Sequence, residues 1–168
     1  AEAMIALAEE LRAEELPGAP VQFMASDYES LEFADHFDCA VFFDCLHHAE
    51  DEKAAIHSAW RALKPGGLLI THEPGVGHSR SPDSVRAMEL YGVNERDMPP
   101  ERIIAAARAI GFTEWRIYPL PQVVINRFYR LEPNTWLFSP AGIRRALHLL
   151  RMAFFPSAKA GAIVVLKK

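Results

Sequence analysis

Apolar residues along this chain switch repeatedly between helical and extended spacing. A repeat of three to four residues predicts amphipathic helices, whereas short apolar runs bounded by turn residues predict strands. The predicted helices cover residues 1–15, 51–63, 84–91, 100–110 and 141–155. The predicted strands cover residues 21–25, 37–43, 68–71, 113–118 and 162–167. Strands that alternate with helices are typical of layered α/β proteins, so we expect a fold of this class.

Two of these elements carry more detailed expectations. The run Phe37–Phe43 is almost continuously apolar, which predicts a strand buried on both faces, as in a parallel sheet. The helix predicted from Asp51 to Leu63 is followed by Lys64-Pro65-Gly66-Gly67. The glycines of this turn predict a C-cap that ends the helix.

Composition and charge restrict the class of protein. The 168 residues include 18 Lys plus Arg and 22 Asp plus Glu, for a formal net charge of −4, and half of them are hydrophobic. These fractions exclude a disordered, collagen-like or coiled-coil chain and favour a single domain over residues 1–168. Mild acidity argues against a nucleic-acid partner, and no apolar run is long enough to predict a transmembrane segment.

The cysteines and the N-terminal residues favour a reducing, cytoplasmic setting. Cys39 and Cys45 are the only cysteines, and both fall in one apolar stretch. A disulfide-stapled secreted domain would carry more cysteines at wider spacing. Acidic residues interrupt the N-terminal apolar pattern, which argues against a signal peptide.

In an α/β sheet, ligands bind beyond the carboxyl ends of the strands, so the residues that follow each strand are the candidates for function. Asp27 follows the first predicted strand, and its carboxylate could accept a hydrogen bond from an exocyclic amine such as that of adenine. Tyr28 could lie against a flat ring. The alternative for Asp27 is a turn or a helix cap, where Asp is common.

The second predicted strand is followed by Asp44-Cys45-Leu46-His47-His48. A histidine with a pKa of about 6.5 can serve as a general base, which makes His48 the first candidate and His47 the second. The alternative is that either ring packs against or caps the following helix. Zinc sites use other ligand spacings, and adjacent histidines rarely reach one ion, so we expect no metal here.

The third predicted strand is followed by HEPGVGH at residues 72–78. Within it, Glu73 and His78 are candidates for holding a polar substrate. Gly75 and Gly77 form part of a possible phosphate loop, but neither the Walker spacing nor the dinucleotide spacing is complete.

The helix predicted over 141–155 has apolar residues on one face and arginines on the other. A basic amphipathic helix of this kind predicts one of two arrangements. It can pack on the sheet or close over the site as a lid, or it can make peripheral contact with an anionic membrane.

The most recognisable stretch runs from Phe37 to Ile70, FDCAVFFDCLHHAEDEKAAIHSAWRALKPGGLLI. It contains an FD strand, a Leu-His-His turn, a helix and the motif Arg61-Ala62-Leu63-Lys64-Pro65-Gly66-Gly67 before the next strand. In this order the pieces resemble the class I S-adenosylmethionine-dependent methyltransferases of the small-molecule, type 11 kind. Segments at 4–8 and 23–33 extend the resemblance upstream, so that it covers residues 1–75.

The resemblance implies a Rossmann-like methyltransferase sheet flanked by helices, S-adenosylmethionine as the cofactor and a small-molecule methyl acceptor. His48 would lie at the mouth of the site, near the acceptor, with residues 73–100 and 119–156 as insertions that shape the acceptor side. The residues implied to bind the cofactor are Asp27 and Tyr28 at its adenine and Phe43, Asp44 and Cys45 at its methionine end.

The resemblance also implies that N-terminal elements of the family's fold are missing from this sequence. The family's first two strands and its Gly-rich cofactor loop precede the point where this sequence begins, and the first helix pattern is already under way at Ala1. We therefore expect a sheet that is incomplete at its N-terminus and weak or absent cofactor binding by this chain alone. Unpaired strand edges would favour a homodimer.

Two other functions stay open. A catalytically inert methyltransferase-like fragment or binding module would be consistent with a missing cofactor loop. A nicotinamide-dependent dehydrogenase would use a similar sheet, but the G-x-G-x-x-G fingerprint is absent and the Leu-His-His and Lys-Pro-Gly-Gly motifs would be unexplained.

Overall fold

The structure is a computed structural model that describes residues 2–121, 139–154 and 161–168. Its helices are α1 Glu2–Glu15, α2 Glu52–Ala62, α3 Pro82–Tyr91, α4 Pro100–Ile110 and α5 Pro140–Phe154. Its strands are β1 Phe37–Phe43, β2 Leu63–Glu73, β3 Glu114–Pro119 and β4 Ala162–Lys167. Short 3₁₀ helices, Leu46–His48 and His78–Arg80, follow β1 and β2 respectively.

The strands form one four-stranded sheet in the order β1-β2-β4-β3. β1 and β2 are parallel, and the crossover between them contains α2. β4 runs antiparallel to both of its neighbours, β2 and β3. The predicted α/β class is therefore confirmed, with a mixed rather than a fully parallel sheet.

One face of the sheet carries the core. Alternate residues of the two central strands, among them Leu69 and Thr71 in β2 and Val164 and Leu166 in β4, are fully buried. Helices α2 and α4 cover this face and contact each other. They contribute buried apolar residues at helical spacing: Ala55, Ile56 and Ala59 from α2 and Ile103, Ala106 and Ala107 from α4.

Local end signals account for the helix boundaries. The Asp51 carboxylate accepts hydrogen bonds from the backbone N–H groups of Lys53 and Ala54, which caps α2. Helix α4 begins at Pro100 and ends before Gly111, whose φ of 132° is open to glycine but strained for other residues. The predicted helix over 100–110 is confirmed at both ends.

The predicted strand at 21–25 is wrong. These residues have no strand pairing, and the side chains of Val21, Phe23 and Met24 are exposed. Within the described residues no strand lies beside them to form a ladder. An apolar alternation becomes a strand only where a neighbouring strand supplies hydrogen bonds.

Two details of the predicted Phe37–Leu63 region are also corrected. β1 lies at one edge of the described sheet, and of its side chains only Phe42 is buried, while Val41 and Phe43 are more than half exposed. Helix α2 ends at Ala62 with an extended Leu63 as its C-cap, so the glycines do not cap it. The Lys64–Gly67 turn lies instead within β2, where it shifts the β1–β2 register and exchanges backbone hydrogen bonds with Lys168.

The first and the last described helices bury little of their apolar surface. Helix α1 has no buried residue, and the apolar side of α5 is exposed at Ile143, Leu147, Leu150 and Phe154. No helix in the described ranges has both the length and the apolar character required to cross a membrane. Of the predicted insertion at 119–156, residues 122–138 and 155–156 lie outside the described residues.

Glu52 at the start of α2 connects this helix to α4 and to the loop before it. Its carboxylate accepts hydrogen bonds from the guanidinium groups of Arg96 at 3.2 Å and Arg102 at 2.7 Å. Burial raises the pKa of Glu52, but the Arg102 hydrogen bond, a backbone hydrogen bond and the two guanidinium charges together leave that pKa below its usual value.

We expect Glu52→Gln to lower the free energy of unfolding by about 1 kcal/mol at pH 6.5 and by less at pH 3. A carboxyl whose folded pKa is depressed contributes stability above its unfolded pKa of 4.5 and loses it as the pH falls through the folded value. Urea unfolding of the wild type and of Glu52→Gln at both pH values measures the difference in their free energies of unfolding. An equal difference in free energy of unfolding at pH 6.5 and at pH 3 would contradict the prediction.

Candidate active site

The carboxyl end of β1 brings two separate segments together. The hydroxyl of Tyr28 donates a hydrogen bond of 3.2 Å to the carbonyl oxygen of Cys45. The carboxylate of Glu29 accepts hydrogen bonds from the backbone N–H groups of Glu50 at 2.7 Å and Asp51 at 3.0 Å. Residues 27–29 are thus fastened to the turn that joins β1 to α2, on the side of the sheet where ligands bind in this class of fold.

Asp27 lies at the start of this segment and is exposed. Its carboxylate accepts a hydrogen bond from the backbone N–H of Glu29 at 2.9 Å and another from the hydroxyl of Ser30 at 3.0 Å. Asp27 therefore stabilises a turn, which is the alternative role that its position in the sequence also predicted. Contact with an adenine amine stays a prediction for this carboxylate.

β1 ends in a sharp change of backbone direction at Asp44, whose φ of 48° lies in the left-handed region. Non-glycine residues adopt this region seldom, and Asp is one of the few that tolerate it. The Asp44 carboxylate lies 3.0 Å from Nδ1 of His72, and the His72 ring stacks on Phe43 with ring centroids 4.4 Å apart. The sequence did not single out His72, which pairs with Phe43 across the two strands.

The pKa of the Tyr28 hydroxyl and the pKa of the Cys45 thiol both lie above their usual values. Burial, and then the negative charge of Glu73, raise the pKa of the Cys45 thiol. Burial, followed by the thiol of Cys45 and nearby carboxylates, raises the pKa of the Tyr28 hydroxyl. Both groups are therefore protonated at neutral pH, so Cys45 offers no thiolate nucleophile and Tyr28 acts as a hydrogen-bond donor.

Glu73 at the end of β2 is fully buried beneath the turn that follows β1. Its carboxylate accepts hydrogen bonds from the backbone N–H groups of Cys45 at 3.2 Å, Leu46 at 2.8 Å and His47 at 3.2 Å. The same carboxylate lies 2.7 Å from Nδ1 of the His47 ring. Glu73 thus positions this turn, whereas the substrate contact that the sequence predicted for it stays a prediction.

The two adjacent histidines differ in exposure. The side chain of His47 is 5% exposed and that of His48 is 38% exposed. Nδ1 of His48 lies 2.6 Å from the carbonyl oxygen of Asn94. A carbonyl can only accept, so this Nδ1 carries the proton and Nε2 of the neutral ring carries the lone pair. Of the two candidate bases, His48 is the more exposed.

A histidine–glutamate cluster of His47, His48, His78 and Glu95 forms beside this turn. Oε2 of Glu95 lies 2.6 Å from Nε2 of His78 and 3.7 Å from Nε2 of His47. Oε1 of Glu95 lies 3.8 Å from Nδ1 of His48. Glu95 is only 9% exposed, so its carboxylate faces the three rings and little solvent.

Glu95 was not predicted from the sequence. It comes from the loop before α4, nearly fifty residues after the Leu-His-His turn, so no local spacing relates them. The only signal is the polar run Asn94-Glu95-Arg96-Asp97 in a loop otherwise rich in Gly and Pro. Each of its four residues makes a side-chain or backbone contact that fastens the loop to the strand ends.

Asp97 fixes the facing segment that carries His78. Its two carboxylate oxygens accept hydrogen bonds from the backbone N–H groups of Gly77 at 2.8 Å and Ser79 at 2.9 Å. These bonds hold the pKa of Asp97 below its usual range. The loop at 94–98 is therefore bound to both strand ends and forms one wall of the site.

Sequence comparisons find similar proteins for the N-terminal part of the chain. Residues 1–71 match the family described as Methyltransferase domain. The ubiquinone/menaquinone biosynthesis C-methyltransferase UbiE from Pseudomonas putida is 43% identical over 54 residues, which are 32% of this chain and 21% of that protein. UbiE from Vibrio cholerae is 39% identical over a segment of the same length. The matched segment therefore spans only about a fifth of these curated relatives.

Solved structures share the fold over more of the chain. An S-adenosylmethionine-dependent methyltransferase from Mesorhizobium loti has a TM-score of 0.65 at 17% identity, covering 100% of this chain and 77% of that one. A phosphoethanolamine N-methyltransferase from Haemonchus contortus, solved with S-adenosyl-L-methionine, has a TM-score of 0.58 at 22% identity, covering 98% and 40%. Residues 1–71 thus match the methyltransferase family model, and the described part of the chain shares the fold of these solved methyltransferases.

Proposed function

We propose that this chain carries part of the site of an S-adenosylmethionine-dependent methyltransferase that acts on a small molecule. The observation that carries the proposal is the fastening of residues 27–29 to the turn after β1, through Tyr28 to Cys45 and Glu29 to Glu50 and Asp51. It brings the adenine-side and methionine-side residues that the family resemblance implies to one edge of the sheet.

The residues present fit such a cofactor in chemistry. Tyr28 offers a half-buried ring for a purine, and Phe43 offers an exposed one beside the strand end. Asp44 is half exposed and carries a carboxylate that suits the ammonium group of an amino-acid moiety. The cofactor supplies an electrophilic methyl group on a sulfonium. The chain's own task is to hold that group in line with the acceptor and to exclude water.

The acceptor side is formed by the loops after β2. His48 reaches this side with its Nε2 lone pair, and the histidine–glutamate cluster lies beside it. Residues 73–100 supply Asn94, Glu95 and His78 to this wall, which supports their predicted role as a substrate-shaping insertion. Proton abstraction by His48 or His47, and substrate contact by His78, stay predictions.

Titration calorimetry of the full chain with S-adenosylhomocysteine tests the cofactor site. We expect saturable binding between the micromolar and the millimolar range, since the sequence already predicts weak binding by this chain alone. Tyr28→Ala is expected to weaken binding at least about tenfold, or ~1.4 kcal/mol, because the ring that faces the purine is lost. Tyr28→Phe keeps the ring and loses only the hydrogen bond to Cys45, so we expect a smaller loss of affinity.

Tyr118→Ala is the matched control. Tyr118 is an exposed tyrosine on β3, the strand at the opposite edge of the sheet from β1. We expect its replacement to leave the affinity unchanged. Absence of binding by the wild-type chain at millimolar S-adenosylhomocysteine would overturn the proposal in favour of an inert methyltransferase-like module. Equal losses in Tyr28→Ala and Tyr118→Ala would remove Tyr28 from the site.

Three further expectations belong to this proposal. A reducing, cytoplasmic setting is supported by the free thiols of Cys39 and Cys45. Peripheral membrane contact is supported by the exposed apolar residues of α5, and association of two copies by the exposed apolar residues of the edge strand β1.

A further inference from the structure

We propose that His47, His48 and Glu95 bind a divalent transition-metal ion. One ligand atom from each of these three residues lies within 4.8 Å of the other two. Two ligand atoms on a tetrahedral zinc ion with bonds of about 2.0 Å lie roughly 3.3 Å apart. The Glu95 oxygens lie 3.7 Å from His47 Nε2 and 3.8 Å from His48 Nδ1, so each of these two pairs is about half an ångström wider than on an ion.

The surroundings of His47 are those of a metal ligand. Its Nδ1 lies 2.7 Å from the buried carboxylate of Glu73, which fixes the proton on Nδ1 and leaves the lone pair on Nε2. That Nε2 is the atom directed at Glu95. Metal-binding histidines commonly donate their second ring N–H to a carboxylate in this way, which fixes the tautomer and raises the basicity of the ligand atom.

Charge balance also favours a cation. The side chain of Glu95 is only 9% exposed, and among the described residues the only groups within salt-bridge distance of its carboxylate are histidine rings. The cost of shielding this carboxylate from solvent is therefore not offset by a lysine or arginine of the described residues. A bound divalent cation would offset this cost.

The ligand types select the class of ion. Imidazole nitrogens suit zinc and neighbouring first-row metals, whereas magnesium and calcium require oxygen ligands. Two histidines and one glutamate leave a fourth position open to water or to an acceptor oxygen. His78 borders that position, since its Nε2 lies 2.6 Å from the Glu95 carboxylate.

Sequence spacing predicts no metal because the histidines are adjacent and no second ligand cluster follows at zinc-finger spacing. Glu95 changes that expectation, since it reaches both rings from a distant loop. In the structure Nδ1 of His48 contacts the Asn94 carbonyl at 2.6 Å, so an ion on this nitrogen replaces that bond and moves the ring proton to Nε2. A ring bound to the ion in this way does not act as a base. The metal site does not depend on methyl transfer.

Calorimetric titration of the chelator-treated full chain with zinc chloride tests the site. We expect saturable binding of one ion per chain with a micromolar or tighter Kd. Glu95→Gln and His48→Ala are each expected to weaken it at least about tenfold, by removing one ligand. His48 is the more exposed ligand, so His48→Ala keeps the test decisive if Glu95→Gln folds poorly.

His57→Ala is the matched control, because His57 is exposed on α2 and stacks on Trp60 outside the cluster. We expect it to bind zinc like the wild type. Zinc should also raise the thermal unfolding midpoint of the wild type and of His57→Ala, but not of Glu95→Gln. No saturable binding by the wild type at about 1 mM zinc, or a loss in His57→Ala as large as in His48→Ala, would overturn the proposal.

Discussion

Glu73→Ala is expected to lower the free energy of unfolding by about 3–5 kcal/mol, a larger loss than we expect from any other single substitution in the site. The carboxylate lies fully buried and accepts hydrogen bonds from three consecutive backbone N–H groups, those of residues 45–47, besides its contact with the His47 ring. Alanine leaves these donors buried without an acceptor, and each unpaired donor costs its full desolvation energy.

Urea unfolding followed by circular dichroism measures the loss. Glu73→Gln keeps the shape and one acceptor oxygen but turns an amide N–H₂ toward the donors, so its loss should be intermediate. Glu101→Gln is the control, since Glu101 is an exposed residue in the first turn of α4 and should change stability by less than about 0.5 kcal/mol. A loss below about 1 kcal/mol in Glu73→Ala would contradict the positioning role of Glu73.

Gly67→Ala is expected to destabilise the protein by about 2–3 kcal/mol. A Cβ at this position would lie 2.9 Å from the carbonyl oxygen of Lys64 and 3.2 Å from that of Asp38. Both are backbone atoms, so relief requires a shift of the Lys64–Gly67 turn or of β1 itself. The pairing of β1 with β2 and the hydrogen bond from the Lys168 N–H to the Gly67 carbonyl both depend on this turn.

The neighbouring glycine provides the comparison. A Cβ at Gly66 would meet nothing within 4 Å, but its φ of 79° is strained for alanine. Gly66→Ala should therefore cost about 1 kcal/mol, from backbone conformation alone. Thermal or urea unfolding of both variants separates the two causes. If Gly66→Ala proves as costly as Gly67→Ala, close approach of backbone atoms is not what requires a glycine at position 67.

The helices and most strands could be predicted from the sequence because their signals are local. Asp51 caps α2 with its own side chain, and a proline and a glycine bracket α4. The segment 21–25, which was wrongly predicted as a strand, has the same apolar pattern as the segments that do form strands. Its hydrogen bonds would have to come from another segment, and apolar spacing does not specify which.

The candidate site could be predicted only in part, for the same reason. The sequence indicated the 44–48 turn and Glu73, because both directly follow strands. It did not indicate that Glu73 lies beneath that turn or that Glu95 meets the histidines, since these contacts join residues 26 or more positions apart. The left-handed backbone of Asp44 also has no signal in residue type beyond the tolerance of Asp for it.

The position of β4 in the sheet has a consequence for biosynthesis. The last of the described strands lies between β2 and β3, so that Thr71 pairs with Val164 and Ile117 pairs with the same residue from the other side. On the ribosome, β2 and β3 both emerge before β4, the strand that pairs with each of them, so these central hydrogen bonds form only after β4 has been synthesised. We expect this long-range pairing to make folding slow, with the facing edges of β2 and β3 prone to aggregation until β4 pairs with them.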